Sequence, residues 1–418
     1  IQLEVKRKVL AIINVNAGMF SINTFSKVHD YASENNIRFY AVGDGNLFTV
    51  FDRKGSGRSV DKVNLMGLIE FIQKRNNVNV GEIKSKIASR IIDTIENTEF
   101  KYLKETILNS EKQITEDLEY DDFDDKFFFK NSTDINNIEN RLFRHLLKDD
   151  KPTIKTIFKY TTLETVFMIL KNNSIRMNCL VGMNDTTEVN YVENYIFGTR
   201  RDYSQVPWQT VDAYNRRFIL SCSLKEDDLT QWRLYSDDSK GVCIAFNVEE
   251  NNTSSRFIIK KINYGNESGF HHELDLIKTI ISRIKEELHV DFEFRTLNTW
   301  KHFFKPHDYH VEDEVRILYI QPVKEDIKKD WVLTKSNSIL NPYVEFKLND
   351  ESLPFKLTQI ILGPKSPEKE INKIQLEHMI RIMGRKTSEL GTEGDDDFEY
   401  LYNLGRLKVS ISRIKNYR

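Results

Sequence analysis

One stretch limits what this chain can fold into more than any other. Residues 218–248 read FILSCSLKEDDLTQWRLYSDDSKGVCIAFNV, with two apolar, strand-like runs (218–223 and 241–246) on either side of a polar segment able to form a helix. In a strand, Ser221 and Ser223 point to one face and Cys222 to the other. Trp232 and Tyr235, three apart, share a face of a helical turn. Ser239-Lys240-Gly241 then turns the chain into the second run. Small hydroxyls on a strand, an aromatic pair on a short helix and a closing strand build the wall of a pocket.

A chain of 418 residues is long enough for two or three domains. Its 61 Lys and Arg against 63 Asp and Glu leave a net charge of -2, so no global field draws it to nucleic acid, and only a local basic groove stays open. Cys179, Cys222 and Cys243 cannot all pair and lack C-x-x-C spacing, so they read as small apolar residues of a reducing compartment. No apolar run approaches the ~18 residues of a membrane helix, and no signal peptide is visible. The expectation is a soluble, cytoplasmic protein without a membrane partner. The chain opens on Ile rather than Met, inside a strand-like run, which predicts a processed or incomplete N-terminus.

The overall expectation is an α+β protein of two domains. Residues 1–95 read as an α/β unit: an alternating strand over 1–7, a helix over 25–35, a hairpin of 38–42 and 47–51 around Gly43-Asp44-Gly45, and helices near 62–75 and 80–95. Glu4 and Lys6 share one face of the first strand. This Glu-x-Lys strand, the helix ending in Tyr31-Ala32 and the Asp-Gly hairpin together resemble the N-terminal nuclease domain of type I restriction subunits, of restriction-endonuclease-like fold. The resemblance implies Glu4 as a Mg²⁺ ligand and Lys6 as the residue that orients the attacking water, because phosphodiester hydrolysis needs hard oxygen ligands around the metal. Lys27 stands where that family carries Gln, and its Asp on a preceding strand is not found, so the unit reads as partial.

Residues 96–150 are helical and charged. Residues 116–125, EDLEYDDFDD, carry seven carboxylates in ten positions, the pattern of a solvated linker. The second domain, 151–418, opens on a strand over 153–160 that ends in Lys159-Tyr160. A helix over 163–171 capped by Thr162 follows, then a strand over 174–179. A helix capped by Asn184-Asp185 with Glu188 in its first turn comes next. Beyond the central stretch come a helix near 271–289, strands over 315–320 and 357–363, a helix near 367–384 and a last strand near 406–413. His302, His307 and His310 do not have a zinc-ligand spacing.

Five ordered pieces of this second domain resemble the domain of unknown function 2971 family. They are Phe158-Lys159-Tyr160; Met183-Asn184-Asp185 with Glu188; Ser221-Cys222-Ser223 through Trp232-Arg233-Leu234-Tyr235 to Gly241-Val242-Cys243; Phe304-Lys305 with Glu312-Asp313-Glu314-Val315-Arg316; and Ile360-Ile361-Leu362-Gly363-Pro364. Tyr309 stands where the family pattern leads us to expect Trp. The layout is also similar to the split-sheet ADP-ribosyltransferase fold. That likeness implies an NAD pocket gripped by Tyr160, with Lys159 beside it, on the first strand, lined by Ser221, Ser223 and Tyr235, and served by Glu314 and Glu312 ahead of the later strand; Trp232 would be either a further ligand contact or a buried core anchor. Lys305 would be an anion contact, and Arg316 could either anchor a phosphate bidentately or pair with a carboxylate. The chemistry fits those residue types: breaking the nicotinamide–ribose bond develops positive charge on the ribose, a fixed carboxylate stabilises it, and an aromatic face holds the ring. Alternation would put Glu312, Glu314 and Arg316 on one strand face and Asp313 on the other.

Three functions stay open. The first is an NAD-dependent ADP-ribosyltransferase or glycohydrolase, with a bacterial defence or toxin-type role implied by fold analogy. The second is a Mg²⁺-dependent nuclease acting on DNA through the N-terminal unit. The third is a module that senses a nucleotide without turning it over. Gly-x-Ser-x-Gly and the standard phosphate loops are absent from the sequence.

Overall fold

The structure is a computed structural model. It describes residues 2–5, 9–13, 22–34, 39–43, 47–52, 59–64, 66–68, 79–106, 111–121, 125–130, 134, 136–147, 154–179, 186–198, 216–249, 256–321, 330–333, 340–348, 350–388 and 407–415. It divides into two compact units, residues 1–143 with 276–297, and residues 144–275 with 298–418. Both mix helices with open sheets. Among the described residues no helix is long and apolar enough to cross a membrane.

The first unit begins with the antiparallel pair β1 (Gln2–Val5) and β2 (Val9–Ile13). Helix α1 (Ile22–Glu34) carries the chain over to β3 (Phe39–Gly43), parallel to β2, as a parallel pair requires. Strands β4 (Leu47–Asp52) and β5 (Ser59–Asn64) continue antiparallel, giving a five-stranded sheet in chain order. Val28 and Ala32 of α1 cluster with Tyr40 and Val42 of β3. The expected helix and hairpin are therefore present. The helix expected at 62–75 is not: β5 occupies its start, only residues 66–68 are helical, and 69–78 lie outside the described residues. Lys6 and the side chain of Glu4 also lie outside them, so the nuclease site is not visible here. Helix α2 (Val80–Glu96) is capped by Asn79, whose Oδ1 accepts from Glu82 N at 3.2 Å, and it buries Ile87, Ala88, Ile91 and Ile95.

The acidic segment expected as a linker is folded. After α3 (Tyr102–Thr106) and α4 (Glu111–Asp117), β6 (Leu118–Asp121) pairs with β7 (Lys126–Phe129), and α5 (Ile138–Leu146) follows. Apolar residues between the acids decide this: Leu118, Phe127 and Phe129 are buried, while Asp117 and Asp121 meet Lys130 at 3.4 Å and Arg295 at 3.2 Å.

The second unit opens with β8 (Thr156–Thr161) and α6 (Leu163–Asn172), capped by Thr162 and ended by Asn173 in the left-handed region. Strand β9 (Ser174–Cys179) and helix α7 (Thr186–Phe197) come next. Asn184, Asp185 and the side chain of Glu188 lie outside the described residues. Strand β10 (Arg217–Ser223), helix α8 (Leu229–Tyr235) and strand β11 (Val242–Val248) then form as expected. Strands β12 (Phe257–Lys261) and β13 (Asn263–Tyr264) lead to α9 (His272–Leu288).

Within α9 the chain passes back to the first unit. There β14 (Asp291–Glu293) adds to β7 in parallel, and Phe292 and Phe294 pack on Phe129, with Phe294 also on Phe143. The domain expected to run unbroken from 151 to 418 thus lends residues 276–297 to its neighbour. The chain returns through α10 (Leu297–Trp300), β15 (Phe304–Lys305), a 3₁₀ helix (His307–Glu312) and β16 (Glu314–Ile320). Strands β17 (Asp330–Leu333), β18 (Leu340–Lys347) and β19 (Phe355–Leu362), helix α11 (Lys369–Ser388) and strand β20 (Lys408–Ile411) complete it.

A ten-stranded sheet holds this unit together, in the order β17-β18-β9-β10-β8-β11-β19-β20, with β16 joined to β10 and β12 to β16. Val166, Ile169 and Leu170 of α6, Phe218 and Leu220 of β10, Ile244 and Phe246 of β11, and Val315 and Ile317 of β16 share one core.

Candidate functional site

Strand β10 organises the site because the sheet forks on it. Along one edge β16 follows it without a break, from Arg217↔Ile320 to Ser223↔Glu314. Along the other edge β9 meets it only at Phe218 and Ile219, and β8 only at Ser223. Between those contacts the branches diverge. Beside the fork lies a cavity of about 550 Å³. Strand β8 supplies Phe158, Lys159 and Tyr160 to it, β10 supplies Ser221, Cys222 and Ser223, and α8 supplies Gln231 and Tyr235. Lys305, Tyr309, Glu312, Glu314 and Arg316 close the opposite side.

A buried charge network forms that side. Arg316 grips Glu314 with two nitrogens, Nε to Oε1 at 2.8 Å and Nη2 to Oε2 at 3.2 Å, and its Nη1 donates to the His302 carbonyl at 2.7 Å. Lys305 Nζ stands 2.9 Å from Glu314 Oε2 and 2.8 Å from Glu312 Oε2, with the Tyr309 ring 4.9 Å away. Tyr235 donates its hydroxyl to Glu312 Oε1 in a short bond. Burial would push the Glu314 carboxyl up, but Arg316 and then Lys305 overcome it and hold the group at about 2. Glu314 is therefore an anion at neutral pH. Cys222, in contrast, is pushed up to about 12 by burial, so its thiol stays protonated.

Several expected ligand groups are already committed to the protein. Ser223 Oγ donates to the Glu312 carbonyl at 2.8 Å and accepts from Lys225 N at 3.1 Å. Tyr160 OH donates to the Lys225 carbonyl at 2.7 Å and accepts from Asp228 N at 2.9 Å, so only its ring faces the cavity. Arg316, 1% exposed, takes the second of the two roles open to it from sequence: it pairs with the Glu314 carboxylate. Trp232 does not line the cavity at all. It is 0% exposed, packs edge-on against Tyr160 at 4.9 Å and donates Nε1 to Asp227 Oδ1 at 2.8 Å. On α8 the side chains that face the cavity are four apart, Gln231 and Tyr235, not the 232/235 pair; Gln231 Nε2 reaches the Glu312 carbonyl at 3.0 Å.

Glu312 and Glu314 do meet at the site, by a route other than strand alternation. Glu312 ends the 3₁₀ helix, Asp313 turns in the left-handed region at φ 44°, and only Glu314 begins the strand. His307 and His310 stack on each other at 4.4 Å. Buried His302 is held neutral, its pKa lowered first by burial and then by Lys301, Arg217 and Arg316. Among the described residues no group of three or more His, Cys, Asp or Glu is placed to hold a metal ion.

Two groups remain uncommitted. Lys159 Nζ makes only a long contact, 3.4 Å, to the Ser221 carbonyl. Ser221 Oγ is buried without a hydrogen-bond partner at normal geometry, though it stands near enough to Glu314 to favour that carboxylate. Phe158, Cys222, Gln231 and Tyr309 are the cavity residues that sequence reasoning passed over as ligand contacts; the spacing of 231 and 235 was the signal for Gln231.

No curated protein and no solved structure matches the chain. Residues 231–317 match the family model described as protein of unknown function (DUF2971), a stretch that runs from Gln231 to just beyond Arg316 and so contains the whole charge network of the cavity.

Proposed function

We propose that the second unit binds NAD as substrate and breaks its nicotinamide–ribose bond, passing ADP-ribose to an acceptor or to water. The observation that carries this reading is the convergence of Ser221, Tyr235, Glu312 and Glu314 on one cavity beside a forked sheet. In the reaction the C1′–N bond breaks with its electron pair going to the pyridine nitrogen, and nicotinamide leaves neutral. The cationic ribose carbon then takes an oxygen or nitrogen nucleophile, which gives up a proton. Glu312 is the carboxylate suited to face the developing charge. Its Oε1 partner, Tyr235, is 44% exposed, whereas Glu314 has both oxygens fixed by Arg316 and Lys305. Tyr235 and Tyr309 offer faces to the flat ring.

Nicotinamide release from NAD by the full chain tests this, with Glu312→Gln as the control. Release that falls at least about 100-fold in the variant supports the assignment, a loss of the size seen on removing one electrostatic stabiliser. Absence of both release and ADP-ribose binding by calorimetry sinks it. A second reading, binding without turnover, is favoured by the same salt bridges, because carboxylates already matched by cations stabilise a further cation less. Tight binding of NAD with no release selects that reading.

A further inference from the structure

The polar groups of the cavity separate into those the fold consumes and those it leaves over. Lys305 and Arg316 are matched by Glu312 and Glu314 at 2.8–3.2 Å. Lys159 is the third cation of the lining, and among the described residues no carboxylate stands within ion-pair distance of it. Three cations against two carboxylates leave the lining with one net positive charge, and that charge sits on Lys159. Among the described residues the one hydrogen bond of its ammonium, to the Ser221 carbonyl, holds it at the fork, where β8 and β10 pair only through Phe158 and Ser223. The Ser221 hydroxyl, buried and without a hydrogen-bond partner at normal geometry although it favours the Glu314 carboxylate, belongs to the same stretch of β10. Nearby Glu314 does not repel an anion strongly, since Arg316 and Lys305 neutralise it.

We propose that Lys159 and Ser221 form an oxyanion subsite that takes a phosphate group, so that the ligand of this cavity is a phosphate ester and not a free nucleoside. A phosphate oxygen accepting from both groups would balance the cavity charge and satisfy the buried hydroxyl in one contact. The inference rests on the nucleotide reading above for the rest of the ligand, while the subsite itself is testable without it.

Titration calorimetry of the full chain with ADP-ribose, adenosine and inorganic pyrophosphate makes the test, on wild type, Lys159→Gln, Lys159→Arg and Ser221→Ala. ADP-ribose and pyrophosphate are expected to bind, and adenosine far more weakly than ADP-ribose. Lys159→Gln is expected to weaken both phosphate ligands roughly 10- to 100-fold, the value of one charge-assisted hydrogen bond, and Lys159→Arg to recover part of the loss. Ser221→Ala, which removes no charge, is expected to weaken them a few-fold and guards against a folding defect in the lysine variants. Wild-type affinity for ADP-ribose in both Lys159→Gln and Ser221→Ala overturns the subsite and leaves the nucleotide reading standing. Pyrophosphate binding that Lys159→Gln abolishes, with no response to NAD or ADP-ribose, keeps the subsite and overturns the nucleotide reading. No binding of any of the three probes overturns the subsite, and overturns the nucleotide reading as well when nicotinamide release from NAD is also absent.

Discussion

Glu139 gives the sharpest quantitative expectation. It sits on α5 in the first unit, 0% exposed, with Oε1 accepting from Thr296 N at 2.6 Å and Oε2 lacking a partner. Burial pushes its carboxyl up to about 8; the Thr296 bonds and Arg295 lower it and Glu293 raises it, and neither side matches burial. Below pH 4.5 both folded and unfolded chains hold the proton, so the group has no effect on stability there. Between 4.5 and 8 the unfolded chain has lost the proton and the folded chain keeps it. Stability then falls by about 1.4 kcal/mol per pH unit, and at pH 7 the loss reaches about 3 kcal/mol. Glu139→Gln keeps the acceptor for Thr296 and removes the titration. It is expected to stabilise the first unit by roughly 1–3 kcal/mol at pH 7, after allowance for the amide's unmet donors, and to destabilise it by up to about 2 kcal/mol near pH 4, where only that allowance remains. Urea unfolding at several pH values gives the global figure, and hydrogen exchange of the β7 and β14 amides reports this unit alone. An identical pH slope in wild type and Glu139→Gln would refute the reasoning.

In the second unit the pH response has the opposite sign. Glu314, held at about 2 against an ordinary 4.5, contributes stability that is complete above pH 4.5 and is lost as pH falls towards 2, about 3 kcal/mol in all; acid unfolding followed by tryptophan fluorescence, with Glu314→Gln flattening the curve, checks it. Trp232→Ala, at a fully buried site packed on Tyr160, is expected to cost about 3–5 kcal/mol in urea unfolding. Gly241→Ala would place a Cβ 2.2 Å from the Thr161 carbonyl oxygen, so its thermal midpoint is expected to fall by several degrees; an unchanged midpoint would show that β8 and β11 can separate there.

Most elements of the second unit were legible because local pattern and tertiary role agree. Thr162 caps α6, Asp228 caps α8, and apolar runs flank each helix as strands of the sheet. The first unit was less legible where its partner lies far away in sequence. The acids of β6 look like a solvated run until Phe292 and Phe294, more than 160 residues on, complete the sheet and core beside β7. Ser221, Tyr235, Glu312 and Glu314, singled out by residue type and order, line one cavity. Trp232 could be read from sequence either as a pocket wall or as a core anchor, because a three-residue spacing on a two-turn helix does not say which aromatic faces the core; it is the core anchor, and Gln231 carries no chemistry conspicuous enough to single out.

The same comparison explains why residue type alone named too many ligand groups. Where β8 and β10 diverge, residues 220–222 have no β8 partner along that edge, and backbone polar groups in such a place need other partners. Polar side chains supply bonds of this kind around the fork: Lys159 to the Ser221 carbonyl, Tyr160 to the Lys225 carbonyl, and Ser223 and Gln231 to the Glu312 carbonyl. A fork in a sheet thus concentrates polar residues for a structural reason before any ligand is considered. The candidates that survive are those whose bonding capacity exceeds what the fork consumes. By that measure the long contact of Lys159 and the unpartnered hydroxyl of Ser221 stand apart from Ser223, Tyr160 and Arg316. Substituting Ser223 should therefore lower stability more than ligand affinity, and substituting Lys159 should do the reverse. Urea unfolding and ADP-ribose titration of Ser223→Ala and Lys159→Gln, measured side by side, would expose an error in that division if both variants changed the two quantities alike.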